Sequence, residues 1–417
     1  MLLRARTVLP ITAPPIDDGA VLIGDGCIVA VGRWADLRPE ASGQIIDLGD
    51  AILLPGLINA HCHLDYTDMA GQLPPTRVFT DWIKQIITLK SGWTRDDYVR
   101  SWTNGAAMLL RSGTTTVMDI ETMLDLLPGV WASTPLRVIS CAELISVRSH
   151  LAVSDQVTEA VARLSALNDP MKRVGLAPHA PYSTTLELLS LAARAAMDRS
   201  WPLTLHVAES QAEFEMFMYR RGSMFDWLKP QRGMDDCGLG SPVHHVGASG
   251  LLGRNCVAAH VNYLWDNDAE MLARSGSSVV HCPRSHDFFQ HQRFPFDRLQ
   301  TAGVNICLGT DSLATLVTKR GEAAALNLFL EMRAFLAMAP LVAPEAIVRM
   351  ATVNGARALG LAGRVGELCV GASADLIALP HSSGAGDPWE AVVSHQGDVQ
   401  ASMIAGQWVL NPPLTGG

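Results

Sequence analysis

The sequence predicts an α/β protein, a (β/α)8 TIM barrel joined to a small β-sandwich domain built from both termini. Three observations lead there. Eight short strand-like runs alternate with longer Ala/Leu-rich segments of helical period. The two ends of the chain carry short strand-like runs joined by Gly-containing turns. The 417 residues accommodate a barrel of about 250 residues plus a second, smaller domain.

The strands expected are Leu57–Ala60, Thr114–Ile120, Arg137–Ala142, Val174–Ala177, Leu203–Val207, Cys256–Ala259, Ser278–Val280 and Val304–Leu308. Helices are expected over Arg95–Arg111, Asp155–Ala166, Leu186–Asp198, Ala212–Leu228, Asp266–Arg274 and Glu322–Ala337. Ala20–Val31, Asp375–Leu379 and Ser402–Leu410 read as strands of the terminal domain. Residues 1–54 and 365–417 are therefore assigned to the β-sandwich, and residues 55–364 to the inserted barrel.

A chain that is 48% hydrophobic and 18% charged has ample core and is not disordered. Its net charge of −9 argues against nucleic acid or an anionic membrane as main partner, because both reward clustered Lys and Arg. No window holds about 18 uninterrupted apolar residues, and Met1–Pro10 lacks the apolar stretch of a secretory signal. A cytoplasmic protein with a small-molecule substrate is expected, with homo-oligomerisation left open. The eight cysteines lack CxxC spacing and read as reduced core thiols.

His61 and His63 flank Cys62 at the end of the first strand, where residues two apart point to the same side. Alone, such a pair carries little. His206 closes the fifth strand and Asp311 closes the eighth, and a barrel brings all strand C-termini to one face. Three imidazoles and a carboxylate suit one divalent ion, zinc first, with iron or manganese as alternatives, and an open position for water. Glu209, His260 and His179 belong to the same face. Singly they read equally well as a helix-cap residue, a satisfied core imidazole and a loop residue. His281 ends strand seven, where a structural role explains it as well as a functional one. The loop Leu64–Trp82 offers Tyr66, Phe79 and Trp82 to wall a pocket for a flat ring, or simply to pack. Glu121, Glu143 and Arg148 follow strands two and three and could equally be solvated charges.

Taken in order, PGLINAHCHLD, LHVAES, AAHV, HCPRS and LGTDS resemble the motifs of the amidohydrolase superfamily, and the similarity extends to the C-terminal GELCVGASADLIAL. The match is narrower to its deaminase and chlorohydrolase branch, which includes adenosylhomocysteine, methylthioadenosine, aminodeoxyfutalosine and guanine deaminases and triazine hydrolases. The resemblance implies metal ligation by His61, His63, His206 and Asp311, proton transfer by Glu209, assistance by His260 and substrate contact by His179. It also suggests that Glu121, Glu143 and Arg148 hold ribose or a carboxylate group. Many relatives have Ser-Asn after the strand-seven proline, whereas this chain has Pro283-Arg284-Ser285-His286. The lysine that binuclear relatives carboxylate is not apparent at the end of strand four, which favours a mononuclear site.

The expected chemistry is hydrolytic deamination. Asp311 takes a proton from metal-activated water, Glu209 protonates the ring nitrogen and then the departing amine, and His260 steadies the developing oxyanion. HCHLDYT, FTDWI and HCPRSH are most similar to aminodeoxyfutalosine deaminases, so an adenine nucleoside is the first substrate expected, with adenosylhomocysteine and methylthioadenosine beside it. The alternatives are a triazine chlorohydrolase or aminohydrolase or a cyclic amidohydrolase on the same metal site, and, further off, a non-catalytic barrel scaffold.

Overall fold

The computed structural model describes residues 1–40, 43–74, 76, 78–147, 149–316, 324–381 and 386–412. Eight parallel strands form its centre: β1 (Leu57–Cys62), β2 (Thr114–Glu121), β3 (Arg137–Leu144), β4 (Lys172–Pro178), β5 (Leu203–Val207), β6 (Cys256–His260), β7 (Ser278–His281) and β8 (Asn305–Leu308). They are hydrogen-bonded in chain order from β1 to β8. The ring closes where Cys62 bridges Asp311 and the N–H groups of Thr310 and Asp311 both donate to His61 O at 3.1 Å. All eight predicted strands are present, several a residue or two longer than expected.

Strand periodicity sorts their side chains into two layers. Met118, Ile120, Ile139, Cys141, Ala177, Val257, Val280 and Cys307 pack together inside the ring. Val117, Val138, Ala258 and Val279, each one position away, join a larger core with the surrounding helices, as does Leu205 of β5. This alternation decides which strand-end residues can reach the barrel mouth.

Two helical expectations change. Ala212–Leu228 is two helices, Gln211–Tyr219 and Ser223–Leu228; Arg220 (φ 53°) and Gly222 (φ 94°) adopt left-handed backbone between them, which an α-helix cannot continue through. The segment Leu64–Trp82 is not a loop throughout, since a 3-10 turn covers Leu64–Met69 and a helix begins at Phe79 and runs to Lys90. Of the predicted helix Glu322–Ala337, the first two residues lie outside the described ones, residues 324–327 are not helical, and the helix runs Leu328–Met338, capped by the Asn327 side chain.

Both ends of the chain meet in a second, mixed eight-stranded sheet. Leu376–Pro380 runs antiparallel to Ala51–Pro55, joining the C-terminal strands to the N-terminal ones. Its hairpins turn on Asp25-Gly26 (φ 50° and 75°) and Ala405-Gly406 (φ 47° and 77°), the left-handed pairs that two-residue turns between twisted strands require. The sheet encloses its own apolar cluster, including Leu3, Val21, Leu53, Leu376 and Met403. It therefore forms the β domain expected from the termini. Among the described residues, no helix is long and apolar enough to cross a membrane.

The two domains are pinned by Arg137, at the start of β3, which contacts Asp375 at 3.2 Å. The Asp375 side chain is 1% exposed and also accepts from Ser373 Oγ and Ala405 N. This contact lies at the N-terminal end of the strand, opposite the barrel mouth. Removing the guanidinium strands a buried carboxylate. Arg137→Met is therefore expected to lower the unfolding free energy in urea by about 3 kcal/mol; a loss below about 0.5 kcal/mol would show that the pair does not hold the domains.

Candidate active site

At the C-terminal mouth of the barrel, four imidazoles and two carboxyls converge. The register of β1 against β2 shifts between Asn59 and Cys62, a bulge that sends Cys62 into the outer core while His61 and His63 face the centre. His206 comes from β5, where Leu205 and Val207 on either side pack outward. Asp311 follows β8 in left-handed backbone, φ 54°. Strict alternation would turn His260 outward, because Ala258 belongs to the outer core. A φ of 72° reverses it, and its ring lies 5.5 Å from those of His61 and His206.

His61 Nε2 and His63 Nε2 are each 3.8 Å from Asp311 Oδ1, and His63 Nε2 is 3.1 Å from His206 Nε2. His206 Nδ1 lies 2.9 Å from the carbonyl of His179. A carbonyl only accepts, so Nδ1 of a neutral His206 carries the proton and Nε2 presents its lone pair to the cluster. Among the described residues, both nitrogens of fully buried His61, and Nε2 of His260, have no hydrogen-bond partner. Buried lone pairs gathered around one carboxylate are costly without a cation. The donor groups His61/His63/Asp311, His61/His206/His260 and Glu209/His260/Asp311 each fit within 4.8 Å. The residues present thus fit a divalent ion.

Asp311 is held from two sides: Ser285 Oγ donates to Oδ2 at 2.6 Å and Ser312 N to Oδ1 at 2.7 Å. Glu209 Oε1 stands 3.7 Å from His260 Nε2. Burial, reinforced by Asp311 and Glu213, raises the Glu209 carboxyl well above its ordinary range. Burial likewise pushes His61, His63 and His260 well below the imidazole range, so they are neutral. Glu213, fully buried, accepts the N–H groups of Ala208 (3.1 Å) and Glu209 (2.9 Å).

The pocket beside this cluster is lined by His63, His179, His206, Glu209 and Asp311 at its polar end and by Trp82, Ile83, Ile86, Ile145, Val147, Trp227 and Leu228 elsewhere. His179 Nδ1 contacts Ser183 Oγ at 2.6 Å, and its Nε2 is 3.9 Å from Glu143 Oε1. Burial pushes Glu143 upward, but Lys90, His179 and His206 together outweigh it and hold the carboxyl below its ordinary range. Lys90 also reaches Tyr66 OH.

Of the substrate residues expected, His179, Trp82 and Glu143 line this pocket. Arg148 lies outside the described residues. The structure does not bring in Glu121 or His281, for one reason. Ile120 and Val280 face the barrel interior, so the residues after them turn outward. Glu121 accepts from Ser140 Oγ at 2.6 Å beside the helix layer. His281 stacks on Phe294, ring centroids 3.8 Å apart, in a separate cavity with His286 and His291. Lys90 was missed, since no helix is expected between Phe79 and Lys90 and nothing in the sequence places that lysine at the barrel mouth. The lysine of β4, Lys172, opens that strand and donates to the carbonyls of Thr134 and Leu136.

Fold and cluster together define a hydrolytic barrel enzyme with a divalent-metal centre. The chain belongs to the amidohydrolase family, whose model matches residues 52–409. It is 32% identical to a 5-methylthioadenosine/S-adenosylhomocysteine deaminase of Syntrophobacter fumaroxidans, over 94% of this chain and 88% of the relative. Among solved structures it superposes on a zinc-bound adenosine deaminase from Xanthomonas campestris with a TM-score of 0.84 and 27% identity, covering 98% of this chain and 92% of the other. Helicobacter pylori aminofutalosine deaminase in complex with methylthio-coformycin also gives a TM-score of 0.84, over 98% and 99% of the two chains, and at 20% identity shows the shared fold.

Gly309 packs beneath the cluster, where a Cβ would sit 2.8 Å from His61 O and 2.9 Å from His61 Cβ. Gly309→Ala is expected to cost about 1–3 kcal/mol of stability and, by displacing His61, to reduce the metal retained after dialysis. Unchanged metal content and unfolding midpoint would contradict this placement of His61.

Proposed function

We propose that this amidohydrolase is a metal-dependent hydrolytic deaminase acting on an adenine nucleoside, exchanging the exocyclic amine for oxygen and releasing ammonia. The observation that carries the reading is the juxtaposition of Glu209, His260 and Asp311, with donor atoms within 4.8 Å of one another, where Glu209 and Asp311 line a pocket walled largely by apolar side chains. The relatives named as deaminases of adenosine and its thio-derivatives support it. The reading is of a cytoplasmic enzyme with a small-molecule substrate.

His61, His63, His206 and Asp311 would hold one ion, and the three imidazoles favour zinc. Bound there, it would act as a Lewis acid that makes water a nucleophile at neutral pH. Asp311, steadied by Ser285 and Ser312, accepts the proton of the attacking water. Glu209, kept protonated by its burial, donates to the ring nitrogen beside the reacting carbon, takes up the proton that the added hydroxyl loses as the C=O forms and passes it to the leaving amine, and the proton held by Asp311 then returns to Glu209. His260 Nε2 has no partner among the described residues and can hydrogen-bond the oxygen added to the ring. His179 and Glu143 supply polar contacts to the sugar side, Trp82 faces the flat base, and the surrounding isoleucines exclude bulk water.

A panel of adenosine, 5′-methylthioadenosine, S-adenosylhomocysteine and a chlorotriazine, assayed for ammonia and chloride, tests the substrate class. Ammonia from at least one nucleoside is expected; chloride from the triazine with no nucleoside turnover would favour the chlorohydrolase alternative. His61→Ala, His63→Ala, His206→Ala and Asp311→Ala are each expected to lose metal and activity together. Glu209→Gln separates proton transfer from metal binding, keeping its metal while kcat falls by about 10²–10⁴-fold. Loss of metal from that variant would make Glu209 a ligand instead.

A further inference from the structure

The segment after β7 that departs from the relatives' pattern forms a short helix, Pro283–Phe288, and of its two buried polar residues one bonds the carboxylate of Asp311 and the other leads, through Asn262, to the backbone of Glu209. Ser285 reaches Asp311. His286 faces the other way, with Nδ1 3.1 Å from Asn262 Oδ1, and Asn262 Nδ2 donates to the backbone carbonyl of Glu209 at 2.9 Å. The direction of this chain is determined. The Asn262 amide nitrogen is committed to a carbonyl, so Oδ1 is the acceptor and His286 Nδ1 carries the proton. Burial of His286, which holds it to about 4, keeps its ring neutral at physiological pH.

The backbone on which this chain acts is strained. Ala208 (φ 50°), His260 (φ 72°) and Val261 (φ 50°) are all left-handed. Such backbone, costly above all for a β-branched valine, persists only where its surroundings over-determine it. Here Val261 N donates to Val207 O at 3.0 Å and Asn262 N to Ala208 O at 2.9 Å, stitching the ends of β5 and β6 together. Glu209 is therefore gripped at its N–H by Glu213 and at its C=O by Asn262, leaving only its side chain to move.

We infer that His286 is a positioning residue for the acid of the reaction: through Asn262 it fixes the backbone of Glu209, while its neighbour Ser285 fixes Asp311. One helical turn thereby sets the distance between the group that gives a proton and the group that takes one. The inference rests on the reading of Glu209 as that acid.

The test compares kcat, KM and metal content for His286→Asn, His286→Leu, Asn262→Ala and the Asn262→Ala/His286→Leu double variant. Glu209→Gln serves as control, and the substrate is the adenine nucleoside that releases ammonia fastest. The amide nitrogen of His286→Asn falls where Nδ1 stood, so this variant is expected to keep kcat within about threefold. His286→Leu retains bulk without a donor and is expected to lower kcat by about 10–100-fold, the scale of a misplaced catalytic group, with KM and metal unchanged. The double variant is expected to lose no more than Asn262→Ala alone, because both act on one chain. Should His286→Leu fail to fold, Asn262→Ala against His286→Asn carries the same comparison. The positioning role is overturned if His286→Leu turns over within threefold of wild type, if His286→Asn is as poor as His286→Leu, or if the two losses multiply. In those cases an inactive Glu209→Gln leaves the acid assignment standing, whereas an active Glu209→Gln overturns that assignment itself.

Discussion

Two backbone N–H groups, those of Thr310 and Asp311, converge on the carbonyl of His61, and the geometry of the mouth depends on that contact. It joins the last strand of the barrel to the first, so ligands far apart in sequence share one carboxylate oxygen. Asn59 locks the same seam, donating to Thr310 Oγ1 at 2.7 Å and accepting from Thr310 N at 3.1 Å. Gly309 is needed there because a side chain would strike His61. The seam thus both closes the barrel and brings the residues of the site together. Formation of the ring and formation of the ligand cluster are the same event.

That economy has an electrostatic cost. The cluster takes His61, His63, His206, His260, Glu209 and Asp311 almost wholly out of water, where ionisation is penalised and unpartnered lone pairs lose hydration. His61, His63 and His260 respond by staying neutral and Glu209 by holding its proton. Those are the states their proposed roles require, since a neutral imidazole binds metal and a protonated carboxyl can act as an acid. The surrounding hydrogen bonds go mainly to orientation: His206 is held by the His179 carbonyl, Asp311 by Ser285 and Ser312, and the Glu209 backbone by Glu213 and Asn262. A site built this way is stiff in its reactive groups, and the strain at His260, Val261 and Asp311 is what those bonds restrain.

Much of this was legible in the sequence. All eight barrel strands stood out because each is a short apolar run bounded by polar residues, and the terminal hairpins announced themselves through Asp25-Gly26 and Ala405-Gly406. His61, His63, His206, Glu209, His260 and Asp311 were found because barrel topology gathers strand ends, whatever lies between them. The misses share a cause. Position at a strand end does not say which way a side chain turns: Glu121 and His281 obey strict alternation and face the helices, while His260 escapes it through a left-handed residue that no propensity reveals. Lys90 enters the pocket from the far end of the helix Phe79–Lys90, of which only the first turn fell within the segment read as a loop. The departure after Pro283 was visible as a motif, but its role depends on partners supplied by other strands, Asn262 and Asp311.

The central claim is that one ion per chain, held at this seam, enables the chain's own acid and base to deaminate an adenine nucleoside. The most direct measurement is titration of zinc into chelator-stripped enzyme with ammonia release followed at each addition. The account predicts no turnover without metal, a linear rise to one equivalent per chain and a plateau beyond it. Full turnover in the stripped protein, or a rise that continues to two equivalents, would contradict it.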